Sequence, residues 1–253
     1  MRKFLSNSKP VAVSVLWAVV ILVFYVLAGV ITTINKSNET NTMLIRGVCV
    51  WGAVALAAVY IGRSRYSFRD MGFRKMEPDV IKKFMFFLPA IAIEAVGTVV
   101  GFRKINALFV LAVFFFTLAV GFAEEIYFRG IILKVLEGMG VKTAVIISSI
   151  IFGVTHMGNI AGGEGVFKTL IQVVFAFVFG IVFAELFLLS KSLIPVIAWH
   201  FLHDFTSFLQ NEPDMNAVLP WVTLQTVLLI VYAIFMWNKL KTVKTQENAA
   251  IKV

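Results

Sequence analysis

Charged residues are scarce in this sequence. Asp, Glu, Lys and Arg together make up 15% of the 253 residues, whereas soluble domains carry about a quarter. Hydrophobic residues make up 60%, and the mean hydropathy is +0.91. A surface that faces water on all sides cannot be built from this inventory. The composition therefore excludes an ordinary soluble globular protein and indicates a membrane protein.

Cysteine is nearly absent as well. The one cysteine, Cys49, lies inside an apolar run, so a disulfide framework and a cysteine-paired zinc site are both excluded. Acidic residues are fewer than basic ones, which leaves a net charge of +9. The basic residues fall in short stretches between apolar runs, a pattern typical of a topology signal. We therefore expect the lipid bilayer as a partner and no nucleic acid.

Apolar runs of about 17–25 residues predict transmembrane helices. Eight of them predict an all-α fold, a polytopic bundle that forms a single membrane domain over residues 1–253. The first run lacks the short apolar core and small-residue cleavage site of a signal peptide, so we expect a retained helix. The predicted spans are approximately Val11–Thr33, Met43–Gly62, Phe84–Gly101, Ala107–Leu133, Thr143–Gly158, Thr169–Ser190, Leu193–Leu209 and Ala217–Trp237.

The distribution of basic residues predicts the orientation. With a cytoplasmic N-terminus, the inside segments hold 17 Lys and Arg residues and the outside segments hold 4. The positive-inside rule then places both termini in the cytoplasm. The short outside loops and the lack of eukaryotic sorting signals indicate a bacterial plasma membrane.

Several ionisable residues lie within the apolar runs, where each costs at least a few kcal/mol and needs an explanation. Distances along each helix, at about 1.5 Å per residue from the basic residue that ends the span, give their depths. Four of them fall in one layer near the middle of a hydrocarbon core ~30 Å thick. These four are Glu124, His156, His200 and Asp204.

Spacing along the helices predicts local contacts. Glu125 and Arg129 are four residues apart and can form an ion pair. Glu124 is turned about 100° away from Glu125, which leaves it free to face a cavity. His200 and Asp204, also four residues apart, project together. In the same way Phe152 and His156 share a face, which sets an aromatic ring against the imidazole. We expect Glu94 and Glu185 to pair with Arg129, Lys191 or Arg46, or to line a cavity.

These residues form three motifs that resemble those of a known family. Glu124 to Arg129 match an EExxxR motif, Phe152 to His156 an FxxxH motif, and His200 to Asp204 an HxxxN/D motif. The motifs occur in the family order and on separate predicted spans. The chain resembles the CAAX protease and bacteriocin-processing family (the CPBP, or Abi, family) of glutamic intramembrane endopeptidases. The resemblance covers approximately residues 107–210.

The resemblance implies a membrane-embedded protease similar to CAAX prenyl protease 2. Glu124 would be the general base that activates water, and His156 would share or orient that water. His200 and Asp204 would stabilise the oxyanion. Supporting positions would be Glu125, Arg129, Phe152 and His203. The family mechanism uses no metal or other cofactor. The substrate would be a peptide or protein at the membrane, with a lipidated C-terminus or as a bacteriocin or signal peptide.

Three other functions stay open. Two histidines and two carboxylates could bind zinc, with His203 as a spare ligand, in a zinc-dependent membrane protease. Buried Glu and His could form the proton relay of a transporter, although paired Gly/Pro-interrupted spans are not evident. The chain could also be a non-catalytic membrane scaffold that binds a partner protein or peptide.

Overall fold

The computed structural model describes residues 9–75, 87–211 and 215–250. Within these ranges all regular secondary structure is helical, and the only β-type pairing described is an isolated bridge between Phe102 and Gln210. This confirms the predicted all-α class. The helices are α1 (Pro10–Ile34), α2 (Glu39–Arg63), α3 (Leu88–Gly97), α4 (Ala107–Glu125), α5 (Val141–Thr155), α6 (Gly158–Ala161), α7 (Val166–Ser190), α8 (Ile194–Leu209) and α9 (Met215–Ala250).

Among the described residues, six helical stretches are long and apolar enough to cross a membrane. The other two predicted spans correspond to shorter helices, namely Leu88–Val100, in which α3 ends in a 3₁₀ turn, and the 16-residue α8. The start of the predicted third span, residues 84–86, lies outside the described residues. The six stretches are Pro10–Ile34, Glu39–Arg63, Ala107–Met139, Val141–Ile160, Val166–Ser190 and Met215–Lys241.

Local sequence signals determine where the helices begin. Asn38 and Asn106 precede α2 and α4, and each side chain accepts a hydrogen bond from a backbone N–H in the first turn. Such caps satisfy donors that have no partner within the helix. Pro10 and Pro195 occupy the first turns of α1 and α8, where a missing N–H costs nothing. The EExxxR motif begins in the last turn of α4, at Glu124.

Helix α4 ends at Glu125, and the chain continues directly as a π-helix. Residues Ile126–Ile132 are π-helical and all buried, and a short α turn (Leu133–Leu136) and a 3₁₀ turn (Glu137–Met139) follow. π-Helical segments are rare, widen the helix locally and occur frequently at functional sites. Arg129 lies in the middle of this π segment.

Glycines allow the motif helices to approach closely. A methyl group added at Gly121 of α4 would lie 3.2 Å from the carbonyl oxygen of Ile197 in α8. One added at Gly153 of α5 would lie 3.0 Å from the carbonyl oxygen of Val173 in α7. Small residues at helix contacts in membranes let backbones come together in this way. These contacts bring α4 against α8 and α5 against α7.

The connections predicted to share a membrane face do lie together. The loop at 64–75 is hydrogen-bonded to the connection at 190–193, at one end of the bundle. The segment 101–103 is hydrogen-bonded to 209–211 at the other end. Which end is cytoplasmic stays a prediction. Some of the basic residues behind it lie outside the described residues, namely Arg2, Lys3, Lys82, Lys83 and Lys252.

Candidate active site

His200 lies at the centre of the predicted site. It is buried on α8, and its Nδ1 is 2.6 Å from Oε1 of Glu125. A carboxylate only accepts hydrogen bonds, so Nδ1 carries a proton and donates it. Nε2 is 3.6 Å from Oε2 of Glu124 and 3.7 Å from Oδ2 of Asp204, which are ion-pair distances rather than hydrogen bonds. Three carboxylates from α4 and α8 thus surround one imidazole.

Glu125 binds two cationic or polar partners with one oxygen. Its Oε1 accepts from Nδ1 of His200 and, at 2.9 Å, from Nη1 of Arg129. Both members of the Glu125–Arg129 pair are almost fully buried. The predicted ion pair is therefore present. The contact with His200 was not predicted, since helical spacing placed Glu125 away from the side of the helix that Glu124 occupies.

Aromatic rings enclose the charged groups. The guanidinium carbon of Arg129 is 4.4 Å from the ring centre of Phe152 and 5.3 Å from that of Phe183. The Phe152 ring also meets His156 at 5.0 Å and His200 at 6.1 Å, edge to face in each case. The predicted contact of Phe152 with His156 is confirmed. These rings keep water away from the charges, which strengthens their mutual attraction.

One ring nitrogen of His156 is bound by its own helix. His156 follows the last residue of α5, and its Nδ1 is 2.9 Å from the carbonyl oxygen of Phe152. A carbonyl only accepts, so Nδ1 donates, and Nε2 of the neutral ring is an acceptor. An acceptor nitrogen is the group that a water molecule can donate to.

Glu124 is held by a residue that the motifs do not include. The hydroxyl of Tyr25, on α1, donates a hydrogen bond of 2.7 Å to Oε1 of Glu124. Sequence reasoning missed this tyrosine. The available signal was a phenol in the middle of an otherwise apolar predicted span, since a hydroxyl at membrane depth needs a partner.

His203 belongs to a second polar group beside the site. Its Nδ1 is 2.9 and 3.0 Å from the two oxygens of Glu94, and Nε1 of Trp199 donates to the same carboxylate at 3.2 Å. Glu94 is thus bound by an imidazole and an indole and not by the Arg or Lys of the first expectation, and the alternative, that Glu94 lines a cavity, stays a prediction. The buried Oε2 of Glu185 has no hydrogen-bond partner among the described residues.

The arrangement of possible metal ligands can be compared with that of a zinc site. A catalytic zinc site takes three protein ligands. In the part of the chain that the structure describes, no group of three or more His, Cys, Asp or Glu side chains is arranged to hold a metal ion.

Comparison with known proteins identifies the motif-bearing part of the chain. Residues 106–206 match the family described as Rce1-like, type II CAAX prenyl endopeptidase. The match runs from the start of α4 into α8 and contains all three motifs. None of the curated proteins matches the chain. With its apolar helices, the chain is an integral membrane protein, and its segment 106–206 is similar to the type II CAAX prenyl endopeptidases, in agreement with the resemblance that the motifs indicated.

Proposed function

We propose that this protein is an intramembrane endopeptidase, which hydrolyses a peptide bond near the membrane with a water molecule activated by Glu124. One observation carries the proposal. Oε2 of Glu124 and Oδ2 of Asp204 both lie within 3.7 Å of Nε2 of His200, in a site walled by aromatic rings. Amide hydrolysis is favoured by a general base that activates water and by a hydrogen-bond donor for the oxyanion.

Glu124 acts as the general base. Its Oε2 takes a proton from water while the water oxygen attacks the carbonyl carbon of the substrate. His156 accepts a hydrogen bond from the same water at Nε2 and orients it. The carbonyl oxygen becomes an oxyanion. Glu124 then gives the proton to the leaving amine as the C–N bond breaks, which yields a carboxylic acid and an amine.

His200 and Asp204 stabilise the oxyanion. Nε2 of His200 donates to it when the ring is an imidazolium, and Glu125 at Nδ1 supplies the counter-charge of that form. Asp204 adds a second donor when its carboxyl group is protonated. Donors fixed in a site that excludes water stabilise developing negative charge strongly. Glu125 is thus a positioning residue, because it acts through His200.

The substrate class follows from the family and the location. A peptide or protein whose scissile bond lies at the membrane would reach these residues from the bilayer. The two classes proposed are a C-terminus that carries a lipid and a bacteriocin or signal peptide. The protein would reside in a bacterial plasma membrane.

The test compares peptides released by cells that express the parent or Glu124→Gln. Gln keeps the size of the side chain and removes its basicity, so we expect normal insertion and loss of the cleaved peptides. Glu137→Gln is the control, because Glu137 is an exposed glutamate paired with Lys134. Equal peptide sets from the parent and Glu124→Gln, at equal protein levels, would reject the glutamate base.

A further inference from the structure

The first helix reaches the candidate base from outside the segment that matches the family. Tyr25 and Glu124 are 99 residues apart, and their 2.7 Å hydrogen bond depends on α1 lying against the π segment. Trp17 of the same helix contacts Tyr127 of that segment, with ring centres 5.8 Å apart. The position of the phenol is therefore supported by contacts along the helix.

The hydrogen bond distinguishes the two oxygens of Glu124. Tyr25 donates to Oε1, whereas Oε2 lies toward His200 at 3.6 Å. A phenol is neutral near pH 7, so its O–H remains a donor while the carboxylate is ionised. A donated hydrogen bond stabilises the ionised carboxylate and restricts its rotation. Oε2 is then the oxygen left to receive a proton.

We infer that Tyr25 is a positioning residue of the active site, whose hydroxyl holds the Glu124 carboxylate with Oε2 directed at the attacking water. This inference rests on the proposed function for its kinetic consequence. The contact itself does not, and the two are tested separately. The consequence is that α1, although outside the three motifs, completes the site.

The contact is tested without any substrate. Tyrosine labelled with ¹³C at Cζ gives one signal per residue in NMR spectra, and the Tyr25 signal is assigned by its loss in Tyr25→Phe. We expect this signal to move in Glu124→Ala, because the acceptor of its hydroxyl is removed. The signal of Tyr60, which packs on Trp17 at 4.4 Å, is the internal control and stays in place. An unmoved Tyr25 signal would overturn the inference even in a protein that cleaves nothing.

The kinetic consequence is tested with Tyr25→Phe, which removes only the hydroxyl. We expect kcat to fall roughly 10- to 100-fold with KM within about twofold, since the hydrogen bond acts on the base and not on substrate binding. Tyr60→Phe is the matched control and retains both parameters. A rise in KM at unchanged kcat would make Tyr25 a substrate-binding residue. A rise in kcat would mean that the hydroxyl blocks the base. Equal losses in both variants would indicate a structural role, and each of these three results rejects positioning.

Discussion

The two ring nitrogens of His200 lie near different carboxylates and therefore have different roles. Nδ1 donates to Glu125 and is therefore protonated in both the neutral and the charged ring. Nε2 faces Glu124 and Asp204, so it is the nitrogen that gains or loses a proton. The protonation of Nε2 thus decides whether His200 can donate to an oxyanion. Asp204 bears on the same question, because the HxxxN/D motif that the chain resembles accepts either Asn or Asp at this position.

The substitution Asp204→Asn tests how Asp204 acts. An ionised Asp has only acceptors and would repel an oxyanion, whereas a protonated one donates. We expect Asp204→Asn to keep kcat within about tenfold and to extend activity to higher pH. The reason is that a carboxyl group loses its donor as pH rises and an amide does not. Glu125 still supplies the counter-charge of His200 in this variant. The measurement is the pH–rate profile of the variant beside the parent.

The control for this profile is Asp70→Asn. Asp70 lies in the exposed loop 64–75, where hydrogen bonds from the backbone and the hydroxyl of Ser67 lower the pKa of its carboxyl group. It stays ionised over the range tested, so its replacement leaves the profile unchanged. A loss of a hundredfold or more in Asp204→Asn, ~2.7 kcal/mol, would instead make ionised Asp204 the counter-charge of an imidazolium.

The π segment positions charged side chains of the candidate site. It places Arg129 between the rings of Phe152 and Phe183, with its guanidinium directed back at Glu125. Glu125, at the end of the preceding α turns, is then fixed where its Oε1 also reaches His200. The end of α4 therefore carries both the proposed base, Glu124, and Glu125, whose Oε1 contacts His200.

The substitutions Glu125→Gln and Arg129→Gln separate these two roles. Either variant leaves a buried charge without its partner, which costs roughly 3–5 kcal/mol, so we expect both to lower the thermal stability of the solubilised protein by a similar amount. Only Glu125→Gln also disturbs His200, and we expect the larger loss of kcat per folded molecule there. A fully stable Glu125→Gln protein would contradict the buried ion pair.

The contact of α3 with α8 is tested with Glu94→Gln. The buried carboxylate of Glu94 accepts from His203 and Trp199, and hydrogen bonds to a buried charged group contribute about 1.5–3 kcal/mol. We expect Glu94→Gln to lower the melting temperature clearly. Glu39→Gln is the matched control, because Glu39 is mostly exposed in its pair with Arg103 and such pairs contribute about 0–1 kcal/mol. Equal decreases in the melting temperature of both variants would contradict a structural role of Glu94.

The assembled molecule draws its site from four helices, with Tyr25 on α1, Glu124 and Glu125 on α4, His156 after α5, and His200 on α8. Each of these side chains has a protein partner, so we expect catalysis to be insensitive to metal removal. The measurement is peptidase activity of the purified protein in strong chelator and after addition of zinc. Loss with chelator and recovery with zinc, together with stoichiometric bound zinc, would make the protein a metalloprotease.

The composition and the short spacings between residues were sufficient to predict the all-α class and the contacts within single helices. The apolar runs predicted an all-α protein because a bilayer admits only backbones whose hydrogen bonds are satisfied internally. The pairs Glu125–Arg129 and Phe152–His156 were predicted because residues four apart lie on one helical face. The three motifs indicated the resemblance to CAAX proteases, which the match over residues 106–206 supports, because each motif is a pattern of short spacings along the chain. The number of spans was less secure, because α3 and α8 are shorter than their apolar runs.

The contacts between helices were decided by the tertiary structure. Tyr25 meets Glu124 across 99 residues, Glu125 meets His200 across 75, and Glu94 meets His203 across 109. Spacing along a helix gives the direction of a side chain relative to its own neighbours. It does not give the rotation and depth of that helix against another one. The rotation and depth of a helix are determined by close contacts, such as that of Gly121 in α4 with α8, and by the π segment. Neither feature produces a periodic pattern in the sequence.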